Sequence, residues 1–134
     1  MTFNKSEGRN KMKDNEWNLS RFCNKLDYSV IGGASKLLNY FIKNKNPLRI
    51  ISYADKDWSN GVLYEKLGFT KISDSGPDYK YLVNKIRKHK SNFKKKNIGI
   101  EGLDITEAEY MNLNGYSKVW DCGKIKFELS IVNI

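Results

Sequence analysis

A pair of glycines, Gly32 and Gly33, is the feature that most constrains how this chain of 134 residues can fold. The segment that follows is apolar at helical spacing, at Leu37, Leu38, Phe41 and Ile42. Glycine accepts the backbone conformations of a tight turn, and Asn46-Pro47 is a stop signal for a helix. Since Val30 and Ile31 precede the glycines, the pattern predicts a strand, a glycine turn and a helix over residues 34–45.

Segments of β-type composition flank this helix. Residues 17–22 alternate apolar with polar side chains, which predicts a strand with one buried face. Residues 48–53 are β-branched and apolar enough for a central strand, and their tight connection to the helix predicts a βαβ unit. A hydrophobic content of 40% suffices for one core. The fold class expected is therefore α/β (α+β), with a mixed sheet flanked by helices.

The rest of the chain carries clear local signals. Ser59 or Asn60 can cap a helix that ends at Gly68, and a strand over residues 69–72 follows. Residues 73–78 contain Gly76-Pro77, so the strand over 79–83 is expected to pair with 69–72 as an antiparallel hairpin. Thr106 and Glu109 fit a capping box for a short helix, and residues 125–131 alternate as a last strand.

These signals predict four regions. Residues 1–15 are polar and are expected to form a flexible arm, because they offer little apolar surface to offset the entropy of ordering. Residues 16–83 form the core, residues 84–97 a basic linker, and residues 98–134 a C-terminal extension of one helix and one strand.

A net charge of +9 favours an anionic partner such as nucleic acid or a phosphorylated cofactor. Much of the excess lies in one run without an acidic residue, made of Lys85, Arg87, Lys88, Lys90, Lys94, Lys95 and Lys96. The next stretch, residues 101–109, is acidic. The run therefore predicts a nucleic-acid contact, and a solvated basic face is the alternative reading.

Other classes of protein lack support in the composition. The two cysteines, Cys23 and Cys122, belong to no CxxC pair, and His89 is the only histidine, so no metal site and no Cys/His or Ser/His catalysis is expected. Buried, reduced cytosolic thiols are the simple interpretation of both cysteines. No apolar run is long enough for a membrane span and the polar start has no export signal, so we expect a soluble, cytoplasmic protein without a membrane partner.

Two local features suggest chemistry. The backbone N–H groups of a glycine turn at a helix N-terminus can approach a phosphate or pyrophosphate, although a structural turn uses the same residues. Tyr64 lies one helical turn after Asn60, and it is either a core or rim tyrosine or an acid that protonates a leaving thiolate. We expect its ring to face the glycine-turn cleft and not the core.

Together these segments resemble the coenzyme A-binding half of the GNAT acyltransferase superfamily. The family's cofactor motif is matched at Gly32 and Ala34, but Ser29 stands where the family has Arg or Gln. Its recurring Asn, Tyr and Leu-Gly-Phe pattern is matched by Asn60, Tyr64, Leu67, Gly68 and Phe69. The resemblance covers residues 17–83 and implies a GNAT-like domain truncated on its N-terminal side.

The resemblance also implies roles for individual residues. It implies acetyl-CoA or another acyl-CoA as the cofactor, with Tyr64 as the general acid. The cofactor would lie against Ile31, Gly32, Gly33, Ala34, Ser35 and Asn60. Asp55 is the candidate acceptor of the amine proton, and a loop carboxylate that caps the turn at Trp58 is the alternative reading.

The segment from Gly115 to Gly123, with Trp120-Asp121-Cys122, resembles a module of homing-endonuclease-like phage proteins. A more distant similarity is to Mom-type phage proteins that modify DNA. These resemblances imply a phage protein that acts on or near nucleic acid.

Several functional hypotheses follow. The first is an acyl-CoA-dependent N-acyltransferase. The second is an inactive GNAT-like module that binds nucleic acid through the basic run with Tyr79, Tyr81 and Phe93, or that binds a host or phage protein. An intrinsic nuclease activity fares worst, because no metal-binding cluster is evident. A phage inhibitor of a host enzyme remains an alternative.

Overall fold

The structure is a computed structural model that describes residues 1–7 and 10–131. It contains two compact units. Unit 1 comprises Met1–Ser75 and Lys124–Ile134, and unit 2 comprises Gly76–Gly123. Unit 2 is therefore inserted between two parts of the sequence that belong to the same unit.

Unit 1 is built on a mixed five-stranded sheet, which confirms the expected fold class. Its strands lie in the order β1-β4-β5-β10-β6, and only β4 and β5 are parallel neighbours. Their bounds are β1 (Thr2–Asn4), β4 (Glu16–Arg21), β5 (Arg49–Asp55), β6 (Thr70–Asp74) and β10 (Lys124–Ser130).

The two helices of unit 1 are α1 (Gly33–Lys45) and α2 (Val62–Lys66). Helix α1 joins the parallel strands β4 and β5, as the predicted βαβ unit requires. The core of the unit contains Leu19 from β4, Leu38 from α1, Ile50 from β5 and Phe127 from β10. The period-2 pattern of the strands supplies one apolar face, and the apolar stripe of α1 covers it.

The first residues do not form the expected flexible arm. Strand β1 pairs with β4, and the ring of Phe3 stacks on Phe41 of α1 at 3.6 Å between centroids. Two further short strands, β2 (Ser6–Glu7) and β3 (Asn10–Lys11), pair with each other. Met12 follows them and is buried. A few apolar side chains, hidden in a polar composition, thus offset the entropy of ordering.

Unit 2 is a three-stranded antiparallel sheet in the order β8-β7-β9, with one helix. The strands are β7 (Tyr79–Val83), β8 (Ile86–His89) and β9 (Ser117–Trp120), and a 3-10 helix spans Lys90–Phe93. Helix α3 (Glu107–Leu113) begins with the predicted capping box, in which Thr106 and Glu109 bond reciprocally. Its Met111 packs with Tyr81 and Val83 in a second core.

Long-range pairing differs from the sequence prediction in three ways. Strand β6 pairs with β10 and not with β7, so the expected hairpin across Gly76-Pro77 is wrong. The expected basic linker contains β8 and the 3-10 helix. The last strand is not an extension, because β10 lies between β5 and β6 in the main sheet. Within the described residues, no helix is long and apolar enough to cross a membrane.

Candidate functional site

The basic run begins on a tight hairpin. Asn84 and Lys85 connect β7 to β8, and both have positive φ angles, 50° and 65°. Val83 pairs with Ile86 across this turn. A two-residue connection with positive φ at both positions is typical of a type I′ turn, whose twist matches that of the two strands. Lys85 is therefore held at the tip of an ordered hairpin.

The next cations follow the geometry of strand β8. Arg87 and Lys88 are consecutive, so their side chains lie on opposite faces of the sheet. After β8, the ring of His89 caps the 3-10 helix by accepting a hydrogen bond from the N–H of Ser91 at 3.1 Å. The last three lysines, at positions 94–96, come directly after this helix and are exposed.

Lys90 differs from the other members of the run. Its ammonium lies 2.5 Å from Oδ1 of Asp78, an acidic residue outside the run. This hydrogen bond raises the pKa of Lys90 and lowers the pKa of Asp78. Lys90 is thus already neutralised by its neighbour, and the structure removes it from the set of free cations.

The other six cations form what we call the basic surface: Lys85, Arg87, Lys88, Lys94, Lys95 and Lys96. All six are exposed. Across residues 1–7 and 10–131, none of them makes an ion pair with a carboxylate. Lys95 donates a long hydrogen bond of 3.4 Å to the carbonyl of Leu103. Because exposed cations without carboxylate partners keep their charge available to the solvent, this surface can contact an anion from outside.

Two residues that sequence reasoning did not assign lie beside this surface in unit 2. Trp120 of β9 pairs directly with Tyr79 of β7, and Lys118 pairs with Tyr81. The ammonium of Lys118 lies 4.2 Å from the centre of the Tyr79 ring. The strand register brings these side chains together, and no local pattern in the sequence indicates it.

The segment that resembles the phage module has a structural role at its end. The N–H groups of Asp78 and Gly123 both donate to Oδ1 of Asp121, each at 2.9 Å. The N–H of Asp121 donates in turn to the carbonyl of Asp78. Asp121 therefore joins Asp78, near the start of unit 2, to Gly123 at its end.

In unit 1, the predicted cofactor turn lies at the start of α1. Gly32 precedes the helix with a φ angle of 71°, and Ile31 is 96% exposed. No side chain caps this end of the helix and no acidic residue lies in its first turn. Since N–H groups of a first turn have no acceptor within the helix, Ala34 and Ser35 present donors to the surroundings.

The strand expected before this turn is absent. Strand β4 ends at Arg21, and residues 22–32 connect it to α1 without regular structure. Val30 is exposed and belongs to no strand. The N–H of Gly33 donates to the carbonyl of Val30 at 3.0 Å, which makes this a local turn in the loop.

The second segment of the resemblance, which starts at Asn60, contains residues that shape the two ends of α2. Gly61, and not Ser59 or Asn60, precedes α2, and it has a φ angle of 85°. Oδ1 of Asn60 accepts a hydrogen bond from the N–H of Val62 at 3.4 Å. Gly68 follows the helix with a φ angle of 86°, as expected for a left-handed stop. Asn60 therefore has a structural partner besides its predicted contact with a cofactor.

The two predicted catalytic residues also have structural roles. The ring of Tyr64 is half-buried and packs against Phe127 at 5.2 Å and Phe69 at 5.7 Å, so part of this ring contacts the core of unit 1. Oδ1 of Asp55 accepts from the N–H of Asp57, and its carbonyl accepts from the N–H of Trp58. Asp55 thus caps the turn after β5, which is the alternative reading of this residue.

Both cysteines, Cys23 and Cys122, are exposed and not buried as the sequence suggests. The described residues contain no cluster of three or more His, Cys, Asp or Glu side chains that could hold a metal ion. Comparison with known proteins gives no relative: neither a protein-family model nor a curated protein matches the chain.

Proposed function

We propose that this protein binds nucleic acid through the basic surface of unit 2. The single observation that carries the proposal is the state of its six cations, which are exposed and lack carboxylate partners in the described chain. Phosphate groups are the complementary anions, and each contact would release a condensed counterion. The proposal keeps the basic run of the second hypothesis but not its contacts through Tyr81 and Phe93, because Tyr81 is buried in the core of unit 2 and Phe93 packs against that core.

The alternative of a solvated basic face is less well supported by the geometry. A solvated face usually mixes both signs of charge, as Lys56, Lys71 and Asp74 do in unit 1. The basic surface instead has no acidic residue between its members in the sequence: three of them lie on the hairpin, and the three lysines at positions 94–96 follow the 3-10 helix directly. A fixed array of one sign raises the local concentration of polyanions.

The salt dependence of affinity tests the proposal. The affinity of the full chain for a labelled oligonucleotide duplex is measured by fluorescence anisotropy between about 50 and 200 mM salt. Simultaneous replacement of Lys94, Lys95 and Lys96 by Gln should weaken binding and should lower the slope of log affinity against log salt by up to about 3.

A matched control separates contact from overall charge. Replacing Lys36, Lys43 and Lys45 by Gln removes the same charge from exposed positions on α1 of unit 1. This control should bind with nearly the wild-type slope. If both triple variants lower the slope equally, or if wild-type protein binds neither a duplex nor a single-stranded oligonucleotide at the lowest salt, the basic surface is not a nucleic-acid site.

A second candidate function is binding of acetyl-CoA or another acyl-CoA by unit 1. The observation that favours it is the uncapped start of α1, which follows one of two adjacent parallel strands. In open α/β sheets, ligands bind outside the carboxyl ends of such strands. In this GNAT-like proposal, an amine attacks the thioester, Tyr64 protonates the departing sulfur and Asp55 accepts the amine proton.

Calorimetric titration with acetyl-CoA tests the second candidate. Gly33→Val should abolish binding, because a side chain there obstructs the turn and its Cβ would lie 3.1 Å from the Val30 side chain. Gly76→Val is the control, since a Cβ at Gly76 meets no atom within 4 Å. Absence of heat with wild-type protein would contradict cofactor binding. Both proposed ligands occur in the cytoplasm, which is the compartment that the proposals imply.

A further inference from the structure

One face of the unit 2 sheet carries an aromatic pair, in which Tyr79 is half-buried and Trp120 is exposed. Tyr79 and Trp120 are directly paired residues on neighbouring antiparallel strands, so their side chains share a face. Their ring centroids are 5.0 Å apart, and Trp120 is 59% exposed. On the same face, Met111 of α3 packs with Tyr81 in the core. The aromatic pair therefore continues the core of unit 2 out to an open surface.

Two lysines lie close to this pair, and a third lies on the same face of the sheet. The ammonium of Lys118 lies 4.2 Å from the centre of the Tyr79 ring and 6.0 Å from that of Trp120. The ammonium of Lys90 lies 5.2 Å from the Tyr79 ring. Lys88, a member of the basic surface, pairs with Tyr81 and so lies on the same face. We call Tyr79, Trp120, Lys118 and Lys88 the aromatic platform.

The chemistry of the platform selects one kind of ligand. An apolar docking site for a protein would not be expected to carry lysines beside its aromatic rings, because their desolvation is costly. A polymer with flat rings and regularly spaced negative charges complements both features. In a duplex the faces of the bases are stacked on one another, whereas an unpaired base can stack on an aromatic side chain.

We propose that the aromatic platform binds single-stranded nucleic acid, with an unpaired base stacked on Trp120 and the adjacent phosphates contacting Lys118 and Lys88. This inference rests on the proposed nucleic-acid binding and adds its substrate class. Tyr79 supports Trp120 through their ring contact. The other cations of the basic surface contact further phosphates.

The test compares the affinity for single-stranded DNA with the affinity for a duplex, in wild-type protein and in a variant without the Trp120 ring. Fluorescence anisotropy measures the affinity of the full chain for labelled oligodeoxythymidylate of about 12 nucleotides and for a duplex of the same length. Wild-type protein should prefer the single strand. Trp120→Leu should lose about tenfold or more in affinity for the single strand and little for the duplex.

Two further variants serve as controls. Trp58→Leu removes another exposed tryptophan, 89% accessible and located in unit 1, and it should leave both affinities unchanged. Trp120→Phe keeps a ring that can stack and should retain most of the single-strand affinity. Lys118→Gln should weaken single-strand binding and lower its salt slope by about 1, so the proposal stays testable even if Trp120→Leu does not fold.

The outcomes separate this inference from the proposed function. In one outcome, the protein binds nucleic acid while Trp120→Leu keeps wild-type affinities or lowers the affinities for single strand and duplex equally. Either result would contradict base stacking on the aromatic platform and would leave the proposed binding through the basic surface unaffected. A preference for duplex in the wild-type protein would also overturn it. If neither ligand binds at low salt, the proposed function and the inference fail together.

Discussion

The contact between Gly61 and Phe127 gives a sharp prediction about unit 1. Gly61 has a φ angle of 85°, and a Cβ built on it would lie 2.3 Å from Cζ and 2.4 Å from Cε2 of Phe127. Phe127 is fully buried in the core of unit 1, so its ring has little room to move. Gly61→Ala should therefore strain both the backbone and the packing.

The two costs can be assigned separate magnitudes. An alanine in the left-handed conformation costs about 1 to 2 kcal/mol. Overpacking in a well-packed core costs about 1 to 3 kcal/mol. The free energy of unfolding should therefore fall by about 2 to 5 kcal/mol, which is a large part of the stability of a small domain.

Comparison with Gly32→Ala separates the packing cost of Gly61→Ala from its backbone cost. Gly32 has a similar φ angle of 71°, but a Cβ there meets no atom within 4 Å. Its loss should therefore be the backbone cost alone. The free energies of unfolding of both variants are compared in urea denaturation that is monitored by far-UV circular dichroism. Equal losses for the two variants would refute the reasoning, because they would show that the Phe127 ring yields freely.

Three further predictions concern a helix cap, a helix end and an ion pair. Thr106→Ala should lower the free energy of unfolding of unit 2 by about 1 kcal/mol in urea denaturation, because it breaks the capping box of α3. Asn46 ends α1 with a φ angle of 42°, so Asn46→Gly should preserve the melting temperature better than Asn46→Ala. The hydrogen bond from Lys126 lowers the pKa of Glu7 from its usual 4.5. Its stabilisation is therefore present above that pH and is lost in acid, and Glu7→Gln should flatten the loss of stability measured by thermal melts below about pH 4.5.

Local structure was predictable wherever a short pattern determines it. The helical spacing between Gly33 and Asn46 placed α1 almost to the residue, since the glycines and the Asn-Pro pair mark its two ends. The capping box at Thr106 placed the start of α3 for the same reason. In such segments, the groups that satisfy the backbone are neighbours in the sequence.

Strand pairing was not predictable from the same patterns. The turn at Gly76-Pro77 is compatible with a hairpin, but β6 pairs with β10, about 50 residues further on. The apolar alternation of β10 fits a central strand as well as a terminal one, because periodicity reports burial and not the partner. For this reason the role of β10 in the main sheet and the insertion of unit 2 were both missed.

In the candidate sites too, features that depend on neighbouring residues were predictable from the sequence, and features that depend on long-range pairing were not. The basic run was visible as charge, but only the fold shows that Lys90 is neutralised by Asp78, a residue outside the run. The roles of Trp120 and Lys118 depend on the register between β7 and β9. Conversely, Tyr64 fits a motif by spacing and Asp55 lies at the end of a predicted strand, while the structure reveals their contacts with the core and with a turn.

The connection between the units explains why the two proposals can be tested independently. The chain leaves the main sheet at Ser75 and returns at Lys124, where the N–H of Ser75 donates to the carbonyl of Lys124 and the N–H of Lys124 donates to the Ser75 hydroxyl. Unit 2 is thus an insertion whose ends are adjacent, an arrangement that a host domain tolerates well. The candidate nucleic-acid surface lies within the insertion and the candidate cofactor turn lies within unit 1. A substitution in either unit is therefore a fair control for the other, and loss of one binding activity without the other would assign that activity to a single unit.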